Sequence, residues 1–377
     1  MSELADVLQA IESLHDRGEQ MALATIVAVK GSTYRRPGAR LLVSAGGDMV
    51  GNISGGCLEG DVADVAKVVM VEGEPRIASF DLTSDDEHVW GWGLGCNGAI
   101  EVFVEPADRA AETAGVLRRA LQEDRRLASV TVLESDVDGV ERGARLLVEP
   151  DGSRTGGLGA EALDDEAARV ALDQLDAGRS EIRELAGGVR AFVEVLEPPL
   201  RLLVCGAGHD VIPLVRTASD LGWKVTVIDE RRQFLTHERF PQAAAFLHVD
   251  QPEDAAGEAG VDERTVVMVM SHNYLRDKDY LRGFLGTDAP YIGLLGPRVR
   301  TDRLLAELRD EGVKPSAADL ERMFGPAGLD LGGEGPEEIA HAIVGEILAA
   351  RRGRGAGFLR EREGPIHERG EESGAWR

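Results

Sequence analysis

The sequence holds only three cysteines in 377 residues: Cys57, Cys96 and Cys205. They lie far apart and form no C-x-x-C pair, which excludes a disulfide framework and a zinc site built from neighbouring residues. Lysine is also scarce, with five in all (Lys30, Lys67, Lys224, Lys278 and Lys314), so arginine carries nearly all the positive charge. Acidic residues outnumber basic ones and leave a net charge of −25. A surface this acidic repels phosphate backbones, so no nucleic acid is expected as a partner. No apolar run approaches the roughly 20 residues of a membrane helix, and no membrane span is expected. The opening Met1-Ser2-Glu3-Leu4-Ala5-Asp6 lacks the basic start of a secretory or transit peptide, so the expected location is the cytoplasm.

What is present reads as a globular α/β chain of more than one domain, with 43% hydrophobic and 29% charged residues. Leu4, Val7, Leu8, Ile11 and Leu14 predict an amphipathic opening helix after Ser2. Strand patterns follow at 22–29, 39–44 and 49–53, then a helix from Cys57 or Leu58 to about Val71, then strands at 76–81 and 99–104. These predict an N-terminal α+β domain over 1–107. A middle α/β extension and linker over 108–198 predicts strands near 127–134 and 144–149, a helix near 161–177 and a hairpin at Gly187-Gly188. From 199 to 352 short apolar strands (201–205, 224–229, 245–249, 265–270 and 291–295) alternate with helices, the signature of a Rossmann-like parallel sheet. The polar stretch 353–377 predicts a disordered tail. No internal repeat stands out.

The first strand of the C-terminal domain runs into Cys205-Gly206-Ala207-Gly208-His209 and a helix. Gly206 and Gly208 allow a tight turn and close approach to a pyrophosphate, which the helix N-terminus would attract. The second strand ends at Asp229, placed to hold a ribose hydroxyl, while Val211 stands where a third glycine or alanine is usual. Open α/β sheets bind beyond the carboxyl ends of their strands. That rule adds His209, Arg231, Ser271, His272 and Arg298 to the candidate rim, with Arg231 suited to a phosphate and the histidines to ligand contact or acid–base work.

In the N-terminal domain, Gly51 to Gly60 reads Gly-Asn-Ile-Ser-Gly-Gly-Cys-Leu-Glu-Gly. Gly55 and Gly56 leave room beside Cys57, which sits where the next helix begins. A thiol there is a better nucleophile or soft-metal ligand. A small buried residue under a tight turn is the plainer alternative. Cys96 lies in a second glycine-rich loop and could converge with Cys57. Cys205 ends a buried strand and reads as core.

Taken together, Gly31 to Ala39, Gly51 to Glu59, Leu94-Gly95-Cys96-Asn97-Gly98, Gly206 to His209, Val225 to Arg231, Tyr291 to Arg298, and Gly328 to Gly332 with Pro336 to Ala340 resemble the XdhC/CoxI family of xanthine dehydrogenase accessory factors. Ser271-His272-Asn273 departs from the Thr-His-Asp common there, Pro297 from a serine, and Asn97 from a glycine. The resemblance implies a protein that binds molybdenum cofactor, as molybdopterin or its cytosine dinucleotide, and delivers it to an apo-molybdenum hydroxylase of xanthine dehydrogenase or CO dehydrogenase type. A cysteine desulfurase partner also belongs to that picture, and a homodimer is the expected state. On this reading Cys57 contacts the metal end, since a soft thiolate suits molybdenum, and the Gly206–Gly208 turn holds the phosphate end.

Two other readings stay open on the residues alone. The turn and Asp229 fit an NAD(P)-dependent oxidoreductase, although no catalytic tyrosine–lysine pair is evident. Cys57 and Cys96 also fit a thiol-based redox or assembly module.

Overall fold

The computed structural model describes residues 3–81 and 97–363. The chain divides between Pro198 and Pro199 into two compact units.

The first unit runs α1 (Glu3–Asp16), β1 (Met21–Ser32), β2 (Arg40–Ser44), β3 (Met49–Gly51), α2 (Glu59–Glu72), β4 (Arg76–Asp81), β5 (Asn97–Pro106) and α3 (Ala107–Gln122). It continues with β6 (Leu127–Glu134), β7 (Arg145–Val148), β8 (Arg154–Gly157), α4 (Glu161–Ala177), β9 (Glu181–Leu185) and β10 (Val189–Leu196). Among the described residues its strands form two five-stranded antiparallel sheets, ordered β3-β2-β1-β5-β4 and β8-β7-β6-β10-β9. The order is the same in both, and each is built from three strands, a helix and two strands.

The sequence carries the same repeat. Gly38 to Val43 and Gly143 to Val148 both read Gly-Ala-Arg-Leu-Leu-Val. The offset stays at 105 through the third strand and the helix (143 − 38, 156 − 51, 178 − 73). Gly51 and Gly156 both adopt positive φ, and a Cβ on either would lie 2.4 Å from the carbonyl oxygen of the matching arginine, Arg40 or Arg145. Gly73 and Gly178 both close their helices in the left-handed conformation, which glycine adopts without a Cβ clash. In the last strand Glu101-Val-Phe-Val-Glu105 matches Arg190-Ala-Phe-Val-Glu194, an offset of 89. The first copy therefore carries 16 more residues (105 − 89) between its fourth and fifth strands. The expectation of no internal repeat is corrected: the unit is a duplication.

Helix α2 packs on one sheet through Val62, Ala66 and Val69, and α4 packs on the other through Ala167, Ala171 and Leu175. Between the sheets lie Val27, Phe103, Leu133, Ile182 and Phe192. Buried ion pairs cross that interface reciprocally. Arg40 of the first copy meets Glu194 of the second, Arg145 of the second meets Glu105 of the first, and Arg190 meets Glu101.

The second unit runs β11 (Arg201–Cys205), α5 (Val211–Asp220), β12 (Lys224–Asp229), β13 (Ala245–His248), α6 (Ala255–Ala259), β14 (Thr265–Val269), α7 (Tyr274–Phe284), β15 (Tyr291–Leu294), α8 (Arg298–Asp310), α9 (Ala317–Glu321), β16 (Met323–Phe324) and α10 (Pro336–Arg351). Among the described residues its six strands are all parallel, in the order β13-β12-β11-β14-β15-β16. This is the Rossmann-like sheet read from the alternating pattern, with β16 added at one edge. Both faces are covered, because alternate residues along β11 serve different cores: Leu202 and Val204 join α5 and α10, while Leu203 and Cys205 join α6, α7 and α8. Strands buried on both sides read as continuous apolar runs. The order turns back between β11 and β14, so the crevice where such sheets take ligands opens beyond Cys205 and Val269. Among the described residues no helix is long and apolar enough to cross a membrane.

Candidate functional site

The glycine-rich turn follows β11 directly. Gly206 has φ +128°, and a Cβ there would lie 2.6 Å from the Met270 carbonyl oxygen and 2.9 Å from the Ser271 Cα. Only glycine lets the loops after β11 and β14 pass so closely. At Gly208 a Cβ would meet Asp210 Oδ1 at 2.4 Å, so the space beside the second glycine is taken by a carboxylate of the same chain. That carboxylate accepts from or pairs with His272 Nε2 at 2.7 Å. His272 is exposed and holds φ +58°, which is uncommon for a side chain other than glycine. His209 is exposed beside them. Val211 is fully buried and packs in the core beneath the turn.

Asp229 ends β12 and is 3% exposed. Its Oδ2 accepts from the Ala207 N–H and an Arg231 Nη–H, while Oδ1 accepts from the Arg231 backbone N–H and Nε–H, all at 2.8 to 2.9 Å. Burial pushes this carboxyl up, but the hydrogen bonds and charge of Arg231 and the Ala207 N–H outweigh it and hold the group below its ordinary value. Both oxygens are thus engaged within the protein, tying the glycine-rich turn to the end of the second strand. Arg231 lies with its guanidinium 4.4 Å from the centre of the Phe234 ring. Arg239 approaches the same ring at 4.7 Å and donates to the Ala207 carbonyl oxygen.

Beyond β14, Ser271 donates its hydroxyl to Asp277 Oδ1 at 2.5 Å, and Asp277 in turn pairs with Arg300. Asn273 caps α7 by accepting the N–H groups of Leu275 and Arg276. Arg298 stands exposed at the first position of α8. A crevice of about 330 Å³, counted out to its mouth, lies among Asp229, Glu230, Arg231, Asn273, Arg276 and Tyr280. Burial, with the nearby Cys205, Asp229 and Glu230 next, pushes the Tyr280 phenol far above its usual range. Burial likewise pushes the Cys205 thiol up, which suits its place in the core.

In the first unit, Gly55 and Gly56 are exposed and Cys57 is half-buried and unpaired with any other cysteine among the described residues. Helix α2 starts at Glu59, two residues after Cys57, rather than at Cys57 or Leu58. The Ser54 hydroxyl accepts the N–H groups of Gly56, Cys57 and Leu58 and donates to the Glu59 carboxylate. Glu59 also accepts from the Ser54 and Leu58 N–H groups. Burial raises the Glu59 carboxyl, but its Ser54 and backbone hydrogen bonds bring it below its ordinary value. The internal copy shows what is particular here. Its helix α4 begins at Glu161, the counterpart of Gly56, and Ala162 stands where the first copy has Cys57. The first copy begins its helix three residues later (59 − 56) and carries a thiol in the stretch before it. Cys96 lies outside the described residues. No group of three or more His, Cys, Asp or Glu side chains that could hold a metal occurs among the described residues.

The structure therefore brings Gly206, Gly208, His272, Asp229, Arg231 and Ser271 to the carboxyl ends of β11, β12 and β14. It leaves His209 and Arg298 exposed on the same ends of the strands. The partners Asp210, Asp277, Arg300 and Arg276 are not legible in the sequence, because each acts across the sheet or around a helix end. The spacing from Ser271 through the capping Asn273 to Asp277 is the one local signal that points to such a cluster.

Comparison with known proteins gives matches of three kinds: family models, relatives and a solved structure. The model of the XdhC Rossmann domain matches residues 202–347. The model of the XdhC and CoxI family matches residues 14–81 and again 120–186, one window in each copy of the duplication. A Bacillus subtilis (strain 168) protein, named as a probable subunit of xanthine dehydrogenase, is 31% identical over 91% of this chain and 96% of its own. The uncharacterized protein YqeB of Escherichia coli (strain K12) is 24% identical over 64% of this chain, a stretch that spans 46% of that protein. A crystal structure described as a xanthine dehydrogenase from Bacillus halodurans superposes with a TM-score of 0.76 at 30% identity, covering 94% of this chain and 97% of that one.

Proposed function

The chain belongs to the XdhC and CoxI family, and from that premise we propose that it binds molybdenum cofactor as cargo and delivers it to an apo-molybdenum hydroxylase of the xanthine dehydrogenase type. Membership supports a part in xanthine dehydrogenase maturation. The observation that carries the finer reading is the likeness, along nearly the whole chain, to a relative named as belonging to that enzyme. The chemistry of each unit is compatible with such a cargo. A metal that arrives already chelated needs one further soft ligand rather than a cluster of them, and Cys57 can supply it. Within the second unit, the N-terminus of α5 that follows the Gly206–Gly208 turn would serve a phosphate-bearing group. Working in the cytoplasm, and as a homodimer, belongs to the same reading, as does a cysteine desulfurase partner.

The NAD(P)-dependent oxidoreductase reading has less support, since Asp229 has both oxygens engaged and leaves no free acceptor for a ribose hydroxyl. The test is co-expression with the cofactor pathway, followed by assay of bound pterin and molybdenum. The protein should purify with both, and Cys57→Ala should lose at least half of the molybdenum while remaining folded. Undiminished loading in that variant overturns the thiolate role, and absence of pterin from the native protein overturns the delivery reading.

A further inference from the structure

The crevice beside the glycine-rich turn has a chemistry that singles out one kind of heterocycle. It opens between the loops that follow β12 and β14, where an open α/β sheet takes its ligand. Its volume is about 330 Å³ counted out to its mouth, and the enclosed part is small, so it admits the edge of one flat ring system rather than a whole cofactor. Two acid–guanidinium pairs wall it. Arg231 neutralises Asp229, and Arg276 Nε meets Glu230 Oε2 at 2.6 Å. Neither wall carries surplus charge, so a phosphate gains nothing by entering.

The pairs differ in what they leave free. Asp229 is saturated, as described above. Glu230 keeps Oε1 and Arg276 keeps its two Nη groups without a hydrogen-bond partner among the described residues. A carboxylate oxygen pair beside a guanidinium is an acceptor edge next to a donor edge. The 2-amino-4-oxopyrimidine edge shared by pterins and guanine is its complement. The ring N–H and exocyclic amine donate to the carboxylate, and the 4-oxo group accepts from the guanidinium. Adenine presents one amine beside a bare ring nitrogen, so it would meet one carboxylate oxygen and the guanidinium but leave the second carboxylate oxygen without a donor. A site built to pair polar groups rejects the analogue that leaves them unpaired. Arg231, held by Asp229 and by the Phe234 ring, adds a planar cationic wall.

We infer that this crevice recognises the 2-amino-4-oxopyrimidine edge of a pterin or guanine ring through Glu230 and Arg276, and prefers it to adenine. The inference rests on the delivery reading for its choice of cargo, but its test stands apart. Full-length protein is titrated with neopterin, guanosine and adenosine, none of which carries a phosphate. Neopterin and guanosine should bind at least tenfold more tightly than adenosine. Glu230→Gln, which swaps an acceptor oxygen for a donor, should weaken both at least tenfold while leaving the thermal unfolding midpoint close to native. Arg276→Gln should weaken them in the same direction.

Tighter binding of neopterin than guanosine assigns the site to pterins, and the reverse assigns it to guanine nucleotides. Adenosine binding as tightly as guanosine, no binding of either 2-amino-4-oxo probe, or a Glu230→Gln variant with native affinity overturns the inference. Protein that purifies loaded with cofactor but fails these titrations loses this site and keeps the delivery function. Protein that passes them but never carries pterin or molybdenum keeps the site and loses the function.

Discussion

The carboxylate of Asp229 lies at the end of the second Rossmann strand, where sequence spacing alone places an acid ready for a ribose. The structure turns it inward, onto the Ala207 N–H and Arg231. Spacing locates a residue on a strand end but does not fix the rotamer, and here a guanidinium two positions on captures the charge before any ligand can. This makes the contact a pH-dependent one. The folded value of the carboxyl is depressed, so its stabilisation is fully present above the unfolded value of about 3.9 and is lost as pH falls through the folded one. Asp229→Asn should therefore be less stable than the native protein at pH 7. The gap should narrow as urea unfolding is repeated at values below about pH 4. A gap that stays constant across this range would show that the charge is not what matters.

At the scale of the element, the hairpins β2–β3 and β7–β8 are the same object made twice. Each needs a glycine of positive φ against the carbonyl of the arginine that starts the hairpin, because any Cβ would strike that carbonyl. Gly51→Ala and Gly156→Ala should each destabilise by about 2 kcal/mol or more, from strain and clash together. Gly47 also has positive φ, but nothing lies within 4 Å of its missing Cβ. Gly47→Ala should cost only the conformational part, about 1 kcal/mol. Equal effects at Gly47 and Gly51, measured by chemical denaturation, would contradict the role of the close contact. Elements of this size are partly legible in the sequence. The Rossmann strands declare themselves as short apolar runs, and the helix at 161–177 by its 3.6-residue period. Strands β8 and β16 do not: Arg154–Gly157 holds no large apolar residue, and Met323–Phe324 is two residues long. Both are set by pairing to a neighbour rather than by their own pattern. The start of α2 falls later than the sequence pattern predicts, because Ser54 and Glu59 satisfy the N–H groups of residues 56–58 and hold them out of the helix.

At the scale of the whole molecule, the duplication is the feature a reader of the sequence misses. Its period exceeds 100 residues, longer than the 20–50 of stacked repeats, and outside Gly-Ala-Arg-Leu-Leu-Val the copies agree in burial more than in identity. Physical equivalence nonetheless separates framework from chemistry within one chain. Ile53 and Leu158, Leu58 and Leu163, Ala66 and Ala171 fill matching core positions, whereas Cys57 and the 16 extra residues before β5 belong to the first copy alone. The two copies are joined by the reciprocal pairs Arg40–Glu194 and Arg145–Glu105, whose side chains are at most 13% exposed. Removing one partner of such a pair strands a buried charge, so Arg40→Met should cost about 3–5 kcal/mol. Replacing both, Arg40→Met with Glu194→Leu, should recover most of that loss, since a buried pair and a well-packed apolar pair are often nearly equal in stability. The symmetric cycle, Arg145→Met with Glu105→Leu, should show the same recovery but less completely. Glu105 also accepts from Thr113, and its removal leaves that hydroxyl without its partner. Urea unfolding of the four single and two double variants of the full chain measures both cycles. If the two copies are joined by pseudo-equivalent contacts, the coupling energies share a sign and are of similar size, whereas a large coupling at one pair and none at the other would mean that the two halves of the interface have ceased to be equivalent.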